Sequence, residues 1–560
     1  MIVTTRILLY KGLQSLPSLT HLSKSGVESR GTSSGRRAWF VVHSSRFAAW
    51  GEEGSDEIRT DSSQSQCPGT GMRGFIVVFC NSIAPQLLST ELDGPCLSPP
   101  LNDQGSFPMR VHRIASGWLL GLCLVQGAFA AEFQVGHAKR EITPAAPVPM
   151  WGYGARGAAL STGVRDPLFI RTVVIDVGSD KLAIVGMDLG RSPTDAMLPR
   201  IRKAVREVSG VNFLLISGSH THHGPVMELL DEPDKGRGRF DDAVRWSQSL
   251  ETAIIESINQ AAASVRPARL GWGSKSVAMN RNRHTEREPK PVDSELGVIR
   301  FDDLEGNPLA VVVNYAAHPT MLDSRDLRFS ADWPGAMAKA VEEVLQSPCV
   351  FMQGACGDLS CQPDEQSRGV DAFGAALARQ VIETANAIAT KIPQRPRIRG
   401  IDDTFEFETR LPFSNPLTRV MFSTAFFPEL ANASMTEDLL RNRIRPNMTT
   451  ILLNQELALV GCSGEFFCEH SLRLKERARD TDVFFFGYCN GHHMYFPTIE
   501  AAAEGGYGAD SAVSWVSPGA GESMMDTALI NIYTLKGSFL LDRTARSGNT
   551  AHETPALKAP

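Results

Sequence analysis

Residues 169–189 read FIRTVVIDVGSDKLAIVGMDL. Two apolar, β-branched runs, Phe169 to Val177 and Lys181 to Leu189, flank Gly178-Ser179-Asp180, the pattern of two strands joined by a turn. The period then changes. Leu198 to Val208 has helical spacing, and Val211 to Gly218 is another short apolar run of the kind that forms a buried strand. Strands and helices intermixed in this way predict an α/β fold with mixed β-sheet layers flanked by helices around one core.

The same alternation continues along the chain. Trp246 to Val265 is amphipathic, with Leu250, Ile254, Ile258 and Ala261 on one face. Leu296 to Phe301 and Leu309 to Tyr315 are strands around Glu305-Gly306-Asn307, and Asp332-Trp333-Pro334 opens a helix with Asp332 as its expected cap. Cys349 to Met352 is a strand, Asp371 to Ala389 a helix, Thr449 to Gly461 one strand and Val483 to Tyr488 another. No internal repeat is visible. The tail from about Arg543 to Pro560 is polar and expected to fray.

The start of the chain reads differently. Residues 1–108 are rich in Ser, Gly and Arg and carry no sustained period, so they are expected to be upstream translation or a disordered extension. At Met109 a basic stretch (Arg110, His112, Arg113) precedes the apolar run Ile114 to Val125 and the small residues of Ala128-Phe129-Ala130. That order describes a secretory signal peptide over 109–130, leaves a single domain over 131–542, and predicts a secreted or periplasmic protein. No apolar run approaches the ~20 residues of a membrane span. A formal net charge of −6 gives no basic surplus for nucleic acid. Ten cysteines are present, six of them after Ala130. That number permits disulfides in an exported chain, and no C-x-x-C spacing points to a structural zinc knuckle.

Chemistry gathers just past the strands. Phe213 to Ile216 runs into Ser219-His220-Thr221-His222-His223-Gly224-Pro225, where residues two apart face one side in an extended segment, so His220 and His222 can share a cavity. Val311 to Tyr315 runs into His318-Pro319-Thr320, Leu459 to Gly461 into Glu465, and the strand ending at Tyr488 into Asn490-Gly491-His492-His493-Met494-Tyr495. Imidazoles with a carboxylate form a nitrogen and oxygen donor set suited to zinc. Singly, each is weak: a lone histidine after a strand is more often a structural residue.

The order of the pieces resembles the neutral (non-lysosomal) ceramidase family across most of residues 133 to about 535. Val135 to Pro144 with Met150-Trp151-Gly152-Tyr153 looks like the start of that family's domain, and Ser219-His220-Thr221-His222 with Gly224-Pro225 is similar to its histidine signature. Asn280-Arg281, Ala317 to Met321, Gln353 to Ser360, Gly464-Glu465-Phe466 and Asn490 to Thr498 resemble further family motifs in the same order. The resemblance implies one zinc ion per chain held by His220, His318, Glu465 and Tyr495. It also implies His222, Arg281 and Tyr507 around the scissile carbonyl, with Arg283 repeating the Asn-Arg pair two residues on. Ser360 matches a family serine and reads as a turn residue, because no histidine neighbours it as a base.

The expected reaction is hydrolysis of the N-acyl amide of ceramide, or of a ceramide-like lipid, to a fatty acid and a sphingoid base, with transient contact at a membrane surface. The alternatives are a zinc hydrolase of another N-acyl or ester compound and a non-catalytic secreted binding protein. The sequence departs from the family at His223, at Val226-Met227 and at His492-His493. It also ends before a C-terminal immunoglobulin-like domain would be complete, so none is expected.

Overall fold

The computed structural model describes residues 132–178 and 180–539. The expected upstream extension at 1–108, the expected signal peptide at 109–130 and the tail at 543–560 lie outside the described residues. No described helix is long and apolar enough to cross a membrane.

Three larger sheets carry the fold, and each is laid down by the same sequence of steps. In the first, Phe169–Asp176 and Lys181–Met187 form an antiparallel hairpin, helix Met197–Ser209 crosses over, and Phe213–Gly218 returns parallel to Lys181–Met187. Gln134–Glu141 extends this sheet on the other side. The second repeats the pattern with the hairpin Glu295–Asp302 and Pro308–Tyr315, helix Asp332–Leu345 and parallel strand Cys349–Gln353. The third has Asn447–Leu453 and Leu457–Cys462, helix Cys468–Arg477 and parallel strand Asp482–Phe486. Topology therefore recurs where residue identity shows no repeat.

One expectation needs correction here: Thr449 to Gly461 is two strands. Asn454 and Gln455 hold φ of 50° and 72°, the paired left-handed residues of a tight hairpin turn, so the apolar run folds back on itself. Asp332 opens its helix as expected at the level of position, but its carboxylate accepts from the adjacent Trp333 N–H and from Leu322 N–H in place of a capping bond deeper in the helix.

Strand alternation explains the layers. Leu182 and Ile184 face a central core shared with Ile299, Val312, Val350, Leu459 and Phe484, whereas Ala183, Val185 and Met187 face helices Met197–Ser209 and Asp241–Ala263. In the second sheet Val311 and Val313 meet the helices Asp332–Leu345 and Val370–Ala387; in the third Leu452, Ala458 and Val460 meet Ala520–Lys536. The inner faces of all three sheets thus bury against one another and each outer face is covered by helices.

Three buried amides join the sheets pairwise. Gln353 Nε2 donates to Ser219 O and Ala317 O at 3.0 and 2.9 Å, tying the first sheet to the second. Asn314 Nδ2 donates to Met352 O and to Phe485 O, both at 2.9 Å, tying the second to the third. Asn490 accepts from Ile216 N–H at 3.1 Å and donates to Leu214 O and Thr449 Oγ1 at 2.7 and 3.0 Å, tying the first to the third. A buried amide without partners is costly, so each is a strong constraint on the relative position of two sheets.

Candidate active site

The recurring topology places the ends of the parallel strands near one another, and side chains beyond strand carboxyl ends collect there, as in other open α/β sheets. His220 follows Phe213–Gly218, His318 follows Pro308–Tyr315, and Glu465 follows Leu457–Cys462. All three are buried, at 1%, 0% and 3% exposure. His220 Nε2 lies 3.1 Å from His318 Nε2, 3.3 Å from His222 Nε2 and 3.3 Å from Glu465 Oε2, and His318 Nε2 lies 3.4 Å from the same oxygen. Side chains separated by 245 positions in sequence, from His220 to Glu465, converge on one point.

The tautomers follow from the backbone. Gly190 O lies 2.9 Å from His220 Nδ1, and Cys356 O lies 2.6 Å from His318 Nδ1. A carbonyl only accepts, so both Nδ1 atoms carry hydrogen and both Nε2 atoms present lone pairs to each other. Two lone pairs 3.1 Å apart beside a carboxylate call for a cation between them. Donor atoms on a tetrahedron with arms of about 2.0–2.1 Å stand about 3.3–3.4 Å apart, and the separations among His220, His318 and Glu465, 3.1 to 3.4 Å, match that spacing. The donor set therefore fits zinc.

The charge states agree. Burial alone would raise the Glu465 carboxyl, but the surrounding imidazoles of His220, His318 and His492 outweigh it and hold the group well below the usual carboxylate range. Burial, reinforced by Arg283, brings His318 down to about 3, and burial with His220 and His318 lowers His222 well below an ordinary histidine. An ionised carboxylate and neutral imidazoles are the forms a metal binds.

Tyr495 sits opposite Glu465 in a two-residue parallel pairing, and its hydroxyl lies 3.4 Å from Arg283 Nη2 and 3.5 Å from the Tyr507 hydroxyl. Tyr507 is 66% exposed, so it forms the outer rim. The Asn-Arg motif is where the structure departs from expectation. Arg283 Nη2 lies 2.9 Å from His318 Nε2 and donates to Gly357 O at 3.1 Å. Arg281 is exposed, pairs through its backbone with Ser360, and makes no hydrogen bond or ion pair to the cluster among the described residues. The strand Asn280–Asn282 ends between the two arginines, and the chain beyond it bends toward His318. Of the two arginines, Arg283 is the one beside His318. Ser360 belongs to the short strand Leu359–Cys361 and not to a turn.

The sequence departures resolve into packing and one addition. Val226 and Met227 are buried in the core between the first sheet and its helices, and His223 Nε2 meets Arg156 Nη2 at 2.6 Å. His493 turns toward Ser463 and Asp195, but His492 joins the cluster, with Nε2 3.2 Å from Glu465 Oε1. Trp151 stands edge-on to His220, His222 and His492 at 5.2 to 5.6 Å between ring centroids, and Tyr153 is edge-on to His222 at 4.8 Å, so aromatic rings wall one side. The six cysteines of the described chain are buried and unpaired, so the disulfides that their number permits are absent there.

Sequence reasoning gave no positioning role to Gly190, to Gln353 or to Tyr488, whose hydroxyl donates to Glu465 Oε2 at 3.4 Å. A Cβ on Gly190 would lie 2.1 Å from Trp151 Cε3. Only a glycine lets that carbonyl approach His220 beneath the indole. The signal for Gln353 is an amide that closes the apolar run Cys349 to Met352.

Comparison with known proteins agrees with the motif reading. Residues 133–373 match the family described as neutral/alkaline non-lysosomal ceramidase, N-terminal. A neutral ceramidase of Oryza sativa subsp. japonica is 27% identical over 237 residues, which is 38% of this chain and 29% of that protein. Neutral ceramidase 2 of Arabidopsis thaliana is 26% identical over 246 residues, 41% of this chain and 32% of the relative. The matched stretch thus spans about a third of these relatives' length. The crystal structure of neutral ceramidase from Pseudomonas aeruginosa superposes with a TM-score of 0.58 at 18% identity, covering 73% of this chain and 75% of that one. Residues 133–373 therefore carry the N-terminal pattern of the neutral/alkaline non-lysosomal ceramidases, on the fold of a solved member.

Proposed function

We infer that the protein is a zinc-dependent amide hydrolase acting on ceramide or a ceramide-like N-acyl lipid. The carrying observation is the meeting of two carbonyl-locked imidazoles and a carboxylate at 3.1 to 3.4 Å, with Tyr495 and Arg283 beside them. His220, His318, Glu465 and Tyr495 would hold the ion, whose Lewis acidity toward water and an amide carbonyl is the chemistry it supplies. Arg283 and Tyr507 would stabilise the negative charge that develops on the carbonyl oxygen. His222 differs from the other two imidazoles. Among the described residues its Nδ1 is buried with no hydrogen-bond partner, so no carbonyl there fixes its tautomer and its ring can carry a proton to the departing nitrogen. The amide C–N bond breaks, a C–O bond forms, and the products are an amine and a carboxylate; for ceramide these are a sphingoid base and a fatty acid.

Substrate class rests on the family resemblance. Val226 and Met227 are core residues, so those departures do not reshape a substrate surface. Export is proposed from the basic, apolar and small-residue order over 109–130, with a mature start at Ala131 that N-terminal sequencing of secreted protein would check.

The test couples zinc stoichiometry with hydrolysis of a fluorescent ceramide, with and without chelator. One zinc per chain and chelator-sensitive turnover are expected, and His220→Ala should lose both. A zinc-binding protein that ignores ceramide but cleaves soluble N-acyl amines would move the substrate elsewhere. Zinc content without turnover on any N-acyl substrate would leave a binding protein.

A further inference from the structure

The segment returning from the third sheet brings a histidine to Glu465 that the expected ligand set leaves out. His492 lies three residues before Tyr495, and its ring is buried between the Trp151 edge at 5.6 Å and the Tyr488 face at 6.2 Å. Its Nε2 is 3.2 Å from Glu465 Oε1, whereas Glu465 Oε2 faces His220 and His318 at 3.3 and 3.4 Å. Each carboxylate oxygen thus has a separate partner. An ionised carboxylate only accepts, so His492 Nε2 is the donor.

The backbone around His492 is bent to this purpose. Tyr488, Asn490 and Met494 hold φ of 54°, 57° and 61°, and Gly491 holds 132°. Left-handed conformations at a tyrosine and a methionine are unfavourable and persist only where surrounding structure imposes them. Here the Asn490 amide anchors the segment to the strand that delivers His220, and Glu465 N–H donates to Met494 O at 2.9 Å. A second metal ion is a poor alternative. His220 Nε2 has one lone pair, already directed at His318 and Glu465, so among the described residues a second ion would find only Glu465 Oε1 and His492 Nε2, fewer than the three or four protein ligands that zinc takes.

We propose that His492 is a positioning residue for the metal-binding carboxylate: it holds Glu465 Oε1 by a hydrogen bond, fixing the plane of the group so that Oε2 alone is presented to the ion. This rests on the zinc reading above. Partners of this kind around metal ligands typically change affinity by about 10–100-fold when removed.

The experiment measures zinc affinity by chelator competition in the purified chain, and the visible spectrum after cobalt substitution. His492→Leu keeps apolar volume between Trp151 and Tyr488 and removes the donor; His492→Gln restores an N–H. Zinc Kd should rise about 10–100-fold in His492→Leu and return to within about threefold of wild type in His492→Gln. The cobalt bands of both variants should keep the wild-type position and intensity, because the ligand set is unchanged. A wild-type Kd in His492→Leu, or equal losses in both variants, overturns the positioning role. A cobalt spectrum showing one nitrogen donor fewer also overturns it, by making His492 a ligand. Wild-type protein that binds no zinc defeats the metal reading itself, which is a separate outcome.

Discussion

Gln353→Met tests whether the site is held by the junction between sheets. The substitution keeps the volume of the side chain and removes its polar atoms. Gln353 is fully buried, and its Nε2 serves Ser219 O and Ala317 O at 3.0 and 2.9 Å. Its Oε1 accepts from Gly354 N–H at 3.1 Å, which also donates to Tyr315 O and stays satisfied, and from Ala317 N–H at a longer 3.4 Å. The main loss is therefore two buried carbonyls without donors, each costing about 1–3 kcal/mol, or roughly 4 kcal/mol together. Unfolding entropy of about 2.1 cal/mol/K per residue over a domain of roughly 400 residues is about 0.8 kcal/mol/K, so the melting midpoint should fall by about 5 °C. Ser219 precedes His220 and Ala317 precedes His318, so the same change should also loosen zinc binding. Thermal unfolding of the metal-free protein and zinc competition read the two effects separately. A midpoint within about 1 °C of wild type would refute the reasoning, because the two carbonyls would then have found other partners at no cost.

Arg283→Ala should lower turnover of ceramide by about 10²–10³-fold, as loss of an oxyanion donor does, while Arg281→Ala should stay within about twofold; kcat/KM for the two variants decides between them. Gly190→Ala places a methyl 2.1 Å from the Trp151 ring and should cost about 1–3 kcal/mol by overpacking, with weaker zinc binding as the His220 carbonyl partner shifts. Adding Trp151→Ala should recover part of both losses, read by unfolding and chelator competition. Asp332 is buried, and that burial pushes its carboxyl from 3.8 up to about 6. The folded state then binds this proton more tightly than the unfolded state, so the stability contribution is complete below about pH 4 and is lost as pH rises through about 6. Relative to wild type, Asp332→Asn should therefore gain up to ~3 kcal/mol between pH 4 and pH 7 in denaturant titrations.

Much of the fold was legible because periodicity reports burial directly. The hairpin at 169–187, the helix Asp241–Ala263 and the strands ending before His220 and His318 all follow from apolar spacing. The run at 449–461 misled because its polar break, Asn454-Gln455-Glu456, carries no glycine or proline to mark a turn, and Asn454 and Gln455 turn the chain through their φ values. The metal-competent side chains were visible as polar residues just beyond strands, and the family motifs gave their order.

What the sequence determined by itself was most of the strands and helices and the residue types able to bind zinc, since both depend on short-range pattern and side-chain chemistry. Tertiary structure alone decided which of two arginines reaches His318, that His492 meets Glu465 while its neighbour His493 turns away, and that three sheets of like topology share one centre. The physical reason is range. Burial and turn preference act over a few residues, whereas the approach of Nε2 and carboxylate atoms to within 3.4 Å is fixed by packing and by buried amides that bridge strands far apart in the chain.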